Sequence, residues 1–319
     1  MVTKVSVCIG TYNQVGYIAE CIRSVLMQAD ASIQLEILVG DDASTDGTSD
    51  VVRSLAAEHP GVVVPHIRPS NLGAARNYQA LVAAATGDFI AHLDGDDYWL
   101  PGKLRRQVSL MLQRPHCAVS YTNALVVSSD DVPLGVFSSQ VPDEFSIEFL
   151  ASRGNFLHYG SMLYRANLKS VILELVPPFI DYRMHLALAR HGKIGWLKQA
   201  GTVYRVETST SMIKNNRDHV RKLGWEALTG EFFDLAVSRK VKVEASATFF
   251  LPILSLALQG RRWSYLREWG GMIRHQTSGT GRCLLFWRYV ILMAVGRAVR
   301  GVLIRAGARI NQPRVFYFR

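Results

Sequence analysis

Over its first 93 residues the chain alternates uninterrupted apolar runs with segments of helical spacing, and this alternation admits few folds. Residues 5–9, 35–39, 62–67 and 89–93 read as strands. Between them, residues 17–28 put Ile18, Ile22, Val25 and Leu26 on one helical face, and 48–58 follow a helix-start signal at Ser44-Thr45-Asp46. Residues 74–85 are alanine-rich and helical, and Gly87 stops them. Strands that are apolar throughout need cover on both faces. With helices between them, they predict an α/β fold with a mostly parallel sheet. In such a sheet, ligands bind beyond the carboxyl ends of the strands.

Those ends are polar. Thr11-Tyr12-Asn13, Asp41-Asp42 and Asp94-Gly95-Asp96-Asp97 each follow a strand. Three carboxylates within four residues repel one another unless a cation lies between them. Hard oxygen donors at a strand end suit Mg²⁺ or Mn²⁺, which takes its remaining ligands from water and substrate phosphates. A solvated acidic turn is the competing reading, since Asp-Gly is common turn chemistry. Three polar clusters converging on one crevice favour the metal.

Further along, 104–112 reads as a helix after Pro101-Gly102, 118–121 and 124–127 as strands, and 128–146 as loop. Residues 161–164 are a strand, 182–190 a helix followed by Gly192, and 202–205 strand-like. From about 214 the pattern is helical and basic. The expected organisation is a catalytic domain over 1–213 and a helical, arginine-rich region over 214–319. No GxGxxG follows a strand and no GxxxxGK[ST] occurs, which argues against dinucleotide and P-loop sites.

The net charge of +10 is unevenly placed. Residues 211–319 carry 19 Lys and Arg against 6 acids, and from Arg261 onward there are 12 Arg, no Lys and one acid, Glu268. An anionic partner is expected there, and no nucleic-acid recognition motif accompanies the charge. The apolar runs 247–258 and 289–296 fall short of the roughly 20 residues that span a bilayer. Residues 283–309 interleave apolar side chains with Arg288, Arg297, Arg300, Arg305 and Arg309, which suits a helix in the interface of an anionic leaflet. The start of the chain runs straight into a strand, without secretory-signal character. Cys8, Cys21, Cys117 and Cys283 are scattered, as in a reducing compartment. The expected location is cytoplasmic, peripheral on the inner face of the plasma membrane.

Five segments in order, over about residues 4–210, resemble the family 2 glycosyltransferases, inverting enzymes of the GT-A fold. They are Val5-Ser6-Val7-Cys8-Ile9-Gly10-Thr11-Tyr12-Asn13, then Glu36 through Thr48, and Asn71-Leu72-Gly73 with Ala75-Arg76-Asn77. Gly87-Asp88-Phe89-Ile90 and Leu93-Asp94-Gly95-Asp96-Asp97-Tyr98-Trp99 with Pro101 complete the set, the last resembling the family's DxD segment. The resemblance implies a nucleotide-diphosphate-sugar donor and a saccharide or lipid-linked saccharide acceptor, as in bacterial surface-polysaccharide synthesis. It implies that Tyr12 and Asp42 hold the base, with Thr11 and Asn13 in the same loop, and that Arg76 reaches phosphate. Asp96 becomes the main ligand of Mn²⁺ or Mg²⁺, and Asp94 supports ribose or metal. Asp97 receives no role. Asp181, after Pro177-Pro178-Phe179-Ile180, stands where the family places its base, with Ile180 in place of the first acid of the usual pair. His158 and the segment Tyr204-Arg205-Val206-Glu207 resemble acceptor-side or lid elements, with Glu207 where a histidine often stands. Structural readings stand beside these: Tyr12 as a packing aromatic, Asp42 and Asp181 as cap residues, His158 as a buried polar group.

Two alternatives are weaker. A nucleotidyltransferase needs a basic phosphate loop after its first strand, and Gly10-Thr11-Tyr12-Asn13-Gln14 has no Lys or Arg. A non-catalytic sugar-nucleotide-binding protein has no need of Asp181.

Overall fold

The computed structural model describes residues 2–206, 217–260, 267–271, 284–292, 294–295 and 315–317. The sheet begins with β1 (Thr3–Thr11), β2 (Ile33–Asp41), β3 (Val63–Ile67) and β4 (Phe89–Asp94), with helices α1 (Ile18–Leu26), α2 (Thr48–Glu58) and α3 (Ala74–Ala84) between them. β1 lies between β2 and β4, parallel to both, and β3 lies parallel to β2 on its far side. Val5, Val7 and Ile9 of β1 are fully buried, as are Ile37 and Val39 of β2. Each such side chain contributes about 1.5–3 kcal/mol by leaving water. α1 turns Ile18, Cys21, Ile22 and Val25 inward at helical spacing, and these join the same core as the strands.

After β5 (Tyr98–Trp99) and α4 (Lys103–Gln113) comes β6 (Cys117–Val127), one continuous strand where the sequence predicts two. Thr122 and Asn123 interrupt the apolar pattern but not the backbone, because residues 193–205 pair with β6 from Cys117 to Val127, these two included. β7 (Pro133–Ser138) pairs antiparallel with it, inside a stretch the sequence predicts as loop. β8 (Glu144–Phe145) and α5 (Ile147–Arg153) follow. A 3₁₀ turn (Tyr159–Ser161) leads into β9 (Leu163–Arg165), which joins β4 to β6 by antiparallel pairing. Then come α6 (Lys169–Leu173), α7 (Asp181–Ala189) and β10 (Lys193–Arg205). β10 is far longer than the predicted 202–205. It runs parallel to β6 and antiparallel to β5 and β8, with register shifts near Leu197 and Ala200.

α8 (Arg217–Phe232) and α9 (Arg239–Gln259) follow, and β11 (Val315–Tyr317) pairs parallel with β7. One compact unit holds the described residues of 1–147, 156–227 and 313–318. The other holds those of 148–155 and 228–312. In the second unit, Ser238 caps α9 by accepting the Val241 N–H. α9 extends the apolar run of 247–258 backward. Over Arg239–Leu258 it is long and apolar enough to cross a membrane by length and composition, with 50% of the stretch buried. A core helix meets the same description. Most of 261–319, the arginine-rich stretch, lies outside the described residues, as does Glu207.

Candidate active site

Register brings the three polar clusters together. Gly10 of β1 pairs with Gly40 on one side and Asp94 on the other, and Thr11 pairs with Asp41. The 94–97 turn folds back over β1: the Gly95 N–H donates to the Gly10 carbonyl at 2.9 Å, and the Asp97 N–H to the Asp94 carbonyl at 3.0 Å. Residue 95 must be glycine for this approach. A Cβ there would stand 2.5 Å from Gln14 Oε1 and 2.8 Å from Thr11 Cβ.

The three aspartates of the turn face different surroundings. Asp94 is 45% exposed at its side chain, and its Oδ1 lies 3.0 Å from His92 Nε2. Burial raises the Asp94 carboxyl, but His92 outweighs it and holds the group below the ordinary carboxylate value. His92 is buried and stacks on Tyr159 with ring centroids 3.5 Å apart. Asp96 is partly exposed. Asp97 turns inward at 1% side-chain exposure, and burial and Asp94 push its carboxyl well up. It accepts the Arg205 N–H at 2.9 Å and lies 3.2 Å from His158 Nε2.

Just beyond β1, Tyr12 is 42% exposed. Thr11 is buried and donates its hydroxyl to Gln14 Oε1 at 2.8 Å. Asn13 adopts a left-handed conformation (φ 52°), which asparagine tolerates. It donates its N–H to Ser44 Oγ and accepts the Thr45 N–H, tying the loop after β1 to the loop after β2. The Asp42 carboxylate accepts the Leu72 and Gly73 N–H groups at 2.8 and 2.9 Å, so it clips the start of α3 to the end of β2. Arg76 stands exposed on the first turn of α3.

Asp181 is the first residue of α7, with Ile180 at the cap position. Its Oδ1 accepts the Tyr182 N–H at 2.8 Å, and its Oδ2 is 4.0 Å from Nε2 of buried His185. Tyr121 OH lies 2.7 Å from His185 Nδ1. Burial lowers His185 to about 3, so its ring is neutral near neutral pH. His158 is also buried, with Nδ1 2.9 Å from Thr202 Oγ1. Burial lowers it to about 4, against the opposing pull of Asp94, Asp181 and Asp96. That pull is informative: carboxylates up to 87 residues apart in sequence all act on one imidazole. Tyr159, too, is raised by burial and by both Asp94 and Asp181.

Tyr204 packs by its ring against Phe137 and His158. Arg205, expected on the acceptor or lid side, lies beneath the acidic turn at 1% side-chain exposure. Sequence reasoning missed His92, Tyr159 and Tyr121. The signal for His92 was available: it lies two residues before Asp94 on a strand, hence on the same face.

The exposed, ionised Asp94 and the partly exposed Asp96 form a hard-oxygen pair that fits Mn²⁺ or Mg²⁺, with positions left for diphosphate and water. Among the described residues, one His/Cys/Glu trio also draws within 4.8 Å: His116, Cys117 and Glu144. It satisfies itself instead. His116 bonds Glu144 at 2.7 Å, Arg114 lies 3.8 Å from the same carboxylate, and burial pushes the Cys117 thiol up to about 11.

Aspartates thus gather at the end of β4 of a mostly parallel sheet, and a further one, Asp181, opens α7. Residues 6–157, just under half of the chain, match the family described as Glycosyl transferase family 2, and that part of the chain is a domain of this family, with the GT-A fold. It is 35% identical over 133 residues, 42% of this chain and 51% of the relative, to the putative teichuronic acid biosynthesis glycosyltransferase TuaG of Bacillus subtilis. Among solved structures it resembles S. aureus TarS 1-349 in complex with UDP-GlcNAc (TM-score 0.62, 18% identity, covering 83% of this chain and 80% of that one). It also resembles the mannosyltransferase PcManGT from Pyrobaculum calidifontis in complex with GDP-Man and Mn²⁺ (TM-score 0.55, 17% identity, covering 92% and 87%). At these identities the likeness is one of fold. The chain spans 56% of the length of the mycobacterial relatives that match it at 31% identity over 203 residues.

Proposed function

We propose that the protein is an inverting, metal-dependent glycosyltransferase that moves a sugar from a nucleoside-diphosphate donor to a hydroxyl of a saccharide or lipid-linked saccharide. The observation that carries this reading is the register that sets Asp94 beside Gly10 and Thr11 beside Asp41, so that the polar clusters after β1, β2 and β4 lie at one end of the sheet. Family membership, and solved relatives of the same fold bound to UDP-GlcNAc or to GDP-Man with Mn²⁺, support it.

In this reading Tyr12 stacks on the base, Asp42 holds the base and the loop that covers it, and Arg76 reaches the phosphates. Asp96 and Asp94 hold Mn²⁺ or Mg²⁺, which supplies charge stabilisation on the departing diphosphate. Asp181 accepts the proton of the acceptor hydroxyl. The acceptor oxygen bonds to the anomeric carbon as the bond from that carbon to the diphosphate oxygen breaks, and the nucleoside diphosphate leaves with the electron pair. Neutral His185, behind Asp181, forms no ion pair with that carboxylate. Residues 1–213 serve as the catalytic domain, and the arginine-rich residues 261–319 bring the enzyme to an anionic membrane surface on the cytoplasmic side. Surface-polysaccharide synthesis is the proposed setting, in line with the name of the Bacillus relative.

The test is a thermal-shift and product-release screen of the purified chain with UDP-, GDP- and dTDP-sugars, with and without Mn²⁺. A metal-dependent shift with one donor, together with release of its nucleoside diphosphate to an added saccharide acceptor, supports the reading. Donor binding without release favours a sugar-nucleotide-binding protein.

A further inference from the structure

We propose that Arg205 is the positioning residue of the acidic turn, and that Glu20 and Asp131 are the carboxylates that keep it at that task. The inference rests on the reading of residues 94–97 as the metal and diphosphate site.

Arg205 ends β10 and grips the turn in two ways. Its main-chain N–H donates to Asp97 Oδ1 at 2.9 Å, and its Nη1 donates to the main-chain carbonyl of Asp96 at 2.7 Å. One residue thus holds the side chain of position 97 and the backbone of position 96. The backbone of Asp96 sets where its carboxylate points, so this grip fixes the direction of the main metal ligand.

The rest of the guanidinium is occupied. Nη2 donates to Glu20 Oε2 at 2.6 Å and to Asp131 Oδ2 at 3.2 Å, and Nε donates to Asp131 Oδ1 at 3.1 Å. Tyr17 and Tyr98 offer ring faces with centroids 5.1 and 4.8 Å from the guanidinium carbon. The two anchoring carboxylates come from α1 and from the turn between β6 and β7, and both are about half exposed (53% and 51%). They do more than neutralise a buried cation. A guanidinium pairs readily with any carboxylate in reach, in a planar two-bond fork. With Glu20 and Asp131 in place, the fork is turned away and only the Asp96 carbonyl is held. Without their charges, the guanidinium is left to pair with the carboxylates of the turn it already grips, those of Asp96 and Asp97, and a metal ligand becomes an ion-pair partner. Glu20 and Asp131 therefore act on metal affinity through Arg205 and touch no substrate.

The test uses the full chain carrying Glu20→Gln and Asp131→Asn together. Both positions are half exposed, and the amide oxygens still accept hydrogen bonds. Asp131→Asn alone serves if the pair does not fold. Asp143→Asn, which removes a remote surface charge paired with Lys198, is the control. Free Mn²⁺ is followed by electron paramagnetic resonance in the presence of UDP or GDP. The expected result is about fivefold or greater weakening of Mn²⁺ binding, with the rate at saturating Mn²⁺ within about twofold of the parent and the control unchanged. Unaltered Mn²⁺ affinity, with or without a lower melting temperature, overturns the proposal. If the parent chain itself binds Mn²⁺ no better with nucleoside diphosphate than without, the reading of the turn as a metal site falls, and this proposal falls with it.

Discussion

His92 Nε2 lies 3.0 Å from Asp94 Oδ1, two residues along β4 and on the same face of the strand. The histidine is held from behind by its stack on Tyr159. It fixes one oxygen of Asp94 and leaves the carboxylate ionised. His92→Phe keeps the aromatic stack and removes the bond. The Mn²⁺ concentration for half-maximal transfer should then rise about tenfold, as for other partners of metal-holding carboxylates. A Mn²⁺ titration of the rate measures it; an unchanged midpoint would show that Asp94 needs no support.

Asp96 and Asp181 separate cleanly by experiment. Asp96→Asn should abolish Mn²⁺-dependent binding of UDP or GDP along with transfer. Asp181→Asn should lower the transfer rate by about 10²–10⁴, the usual worth of a general base, and leave donor affinity within about twofold. Calorimetry with the nucleotide plus Mn²⁺, beside single-turnover rates, distinguishes them. Near-parental turnover in the Asp181 variant would move the base elsewhere.

Gly95→Ala places a methyl against Gln14 Oε1 and Thr11. Overpacking of this kind costs about 1–3 kcal/mol. The expected outcome is a lower denaturation midpoint, with metal-dependent binding lost to a greater degree than stability. Urea unfolding read beside Mn²⁺ titration measures both, and a variant with parental values in each would contradict the close approach of turn and strand.

Two neutral buried histidines predict an acid-sensitive fold. Burial lowers His158 to about 4 and His185 to about 3, from an ordinary value of 6.5. As pH falls below 6.5 the unfolded chain takes up protons that the native histidines refuse, so their contribution to stability declines toward pH 4, opposed by Asp97, whose raised carboxyl binds its proton sooner in the native chain. Each histidine contributes up to about 1.4 kcal/mol per pH unit across that window. Glu36 adds a further loss below 4.5. Burial opposes its ionisation, but bonds from Ser6, Thr86 and Lys4 hold it at about 2. Denaturation midpoints at pH 7.5, 5.5 and 4.5 in the parent and in Asp97→Asn test this, and a flat profile above pH 5 in the Asp97→Asn chain would contradict the neutral rings.

The strands that carry the site were legible because each is a continuous apolar run with a polar end. β1 through β4 lie within about two residues of their predicted positions, and α2 spans Thr48–Glu58 as predicted. β10 was legible only over its last residues. Gly195, Gly201, Lys198 and the register shifts near Leu197 and Ala200 break the period from which a strand is read. The carboxylates were found because aspartates crowd visibly at a strand end. Their supports were not, because support is tertiary. His158 reads as an isolated histidine until Asp97 and Thr202 stand beside it. Arg205 reads as a lid residue until partners from α1, the 94–97 turn and the β6–β7 turn surround it.

Arg205 stands 108 residues beyond Asp97 and 185 beyond Glu20. A chain emerging from the ribosome therefore carries every aspartate of the acidic turn long before it carries the residue that holds them. Until β10 docks, residues 94–97 have their bonds to β1 and His92 but lack the hold of Arg205 on Asp96 and Asp97. The acidic turn is thus completed only when β10, synthesised about a hundred residues later, closes over it. A truncated product that stops short of β10 would hold the recognisable motif without the residue that fixes Asp96 and Asp97.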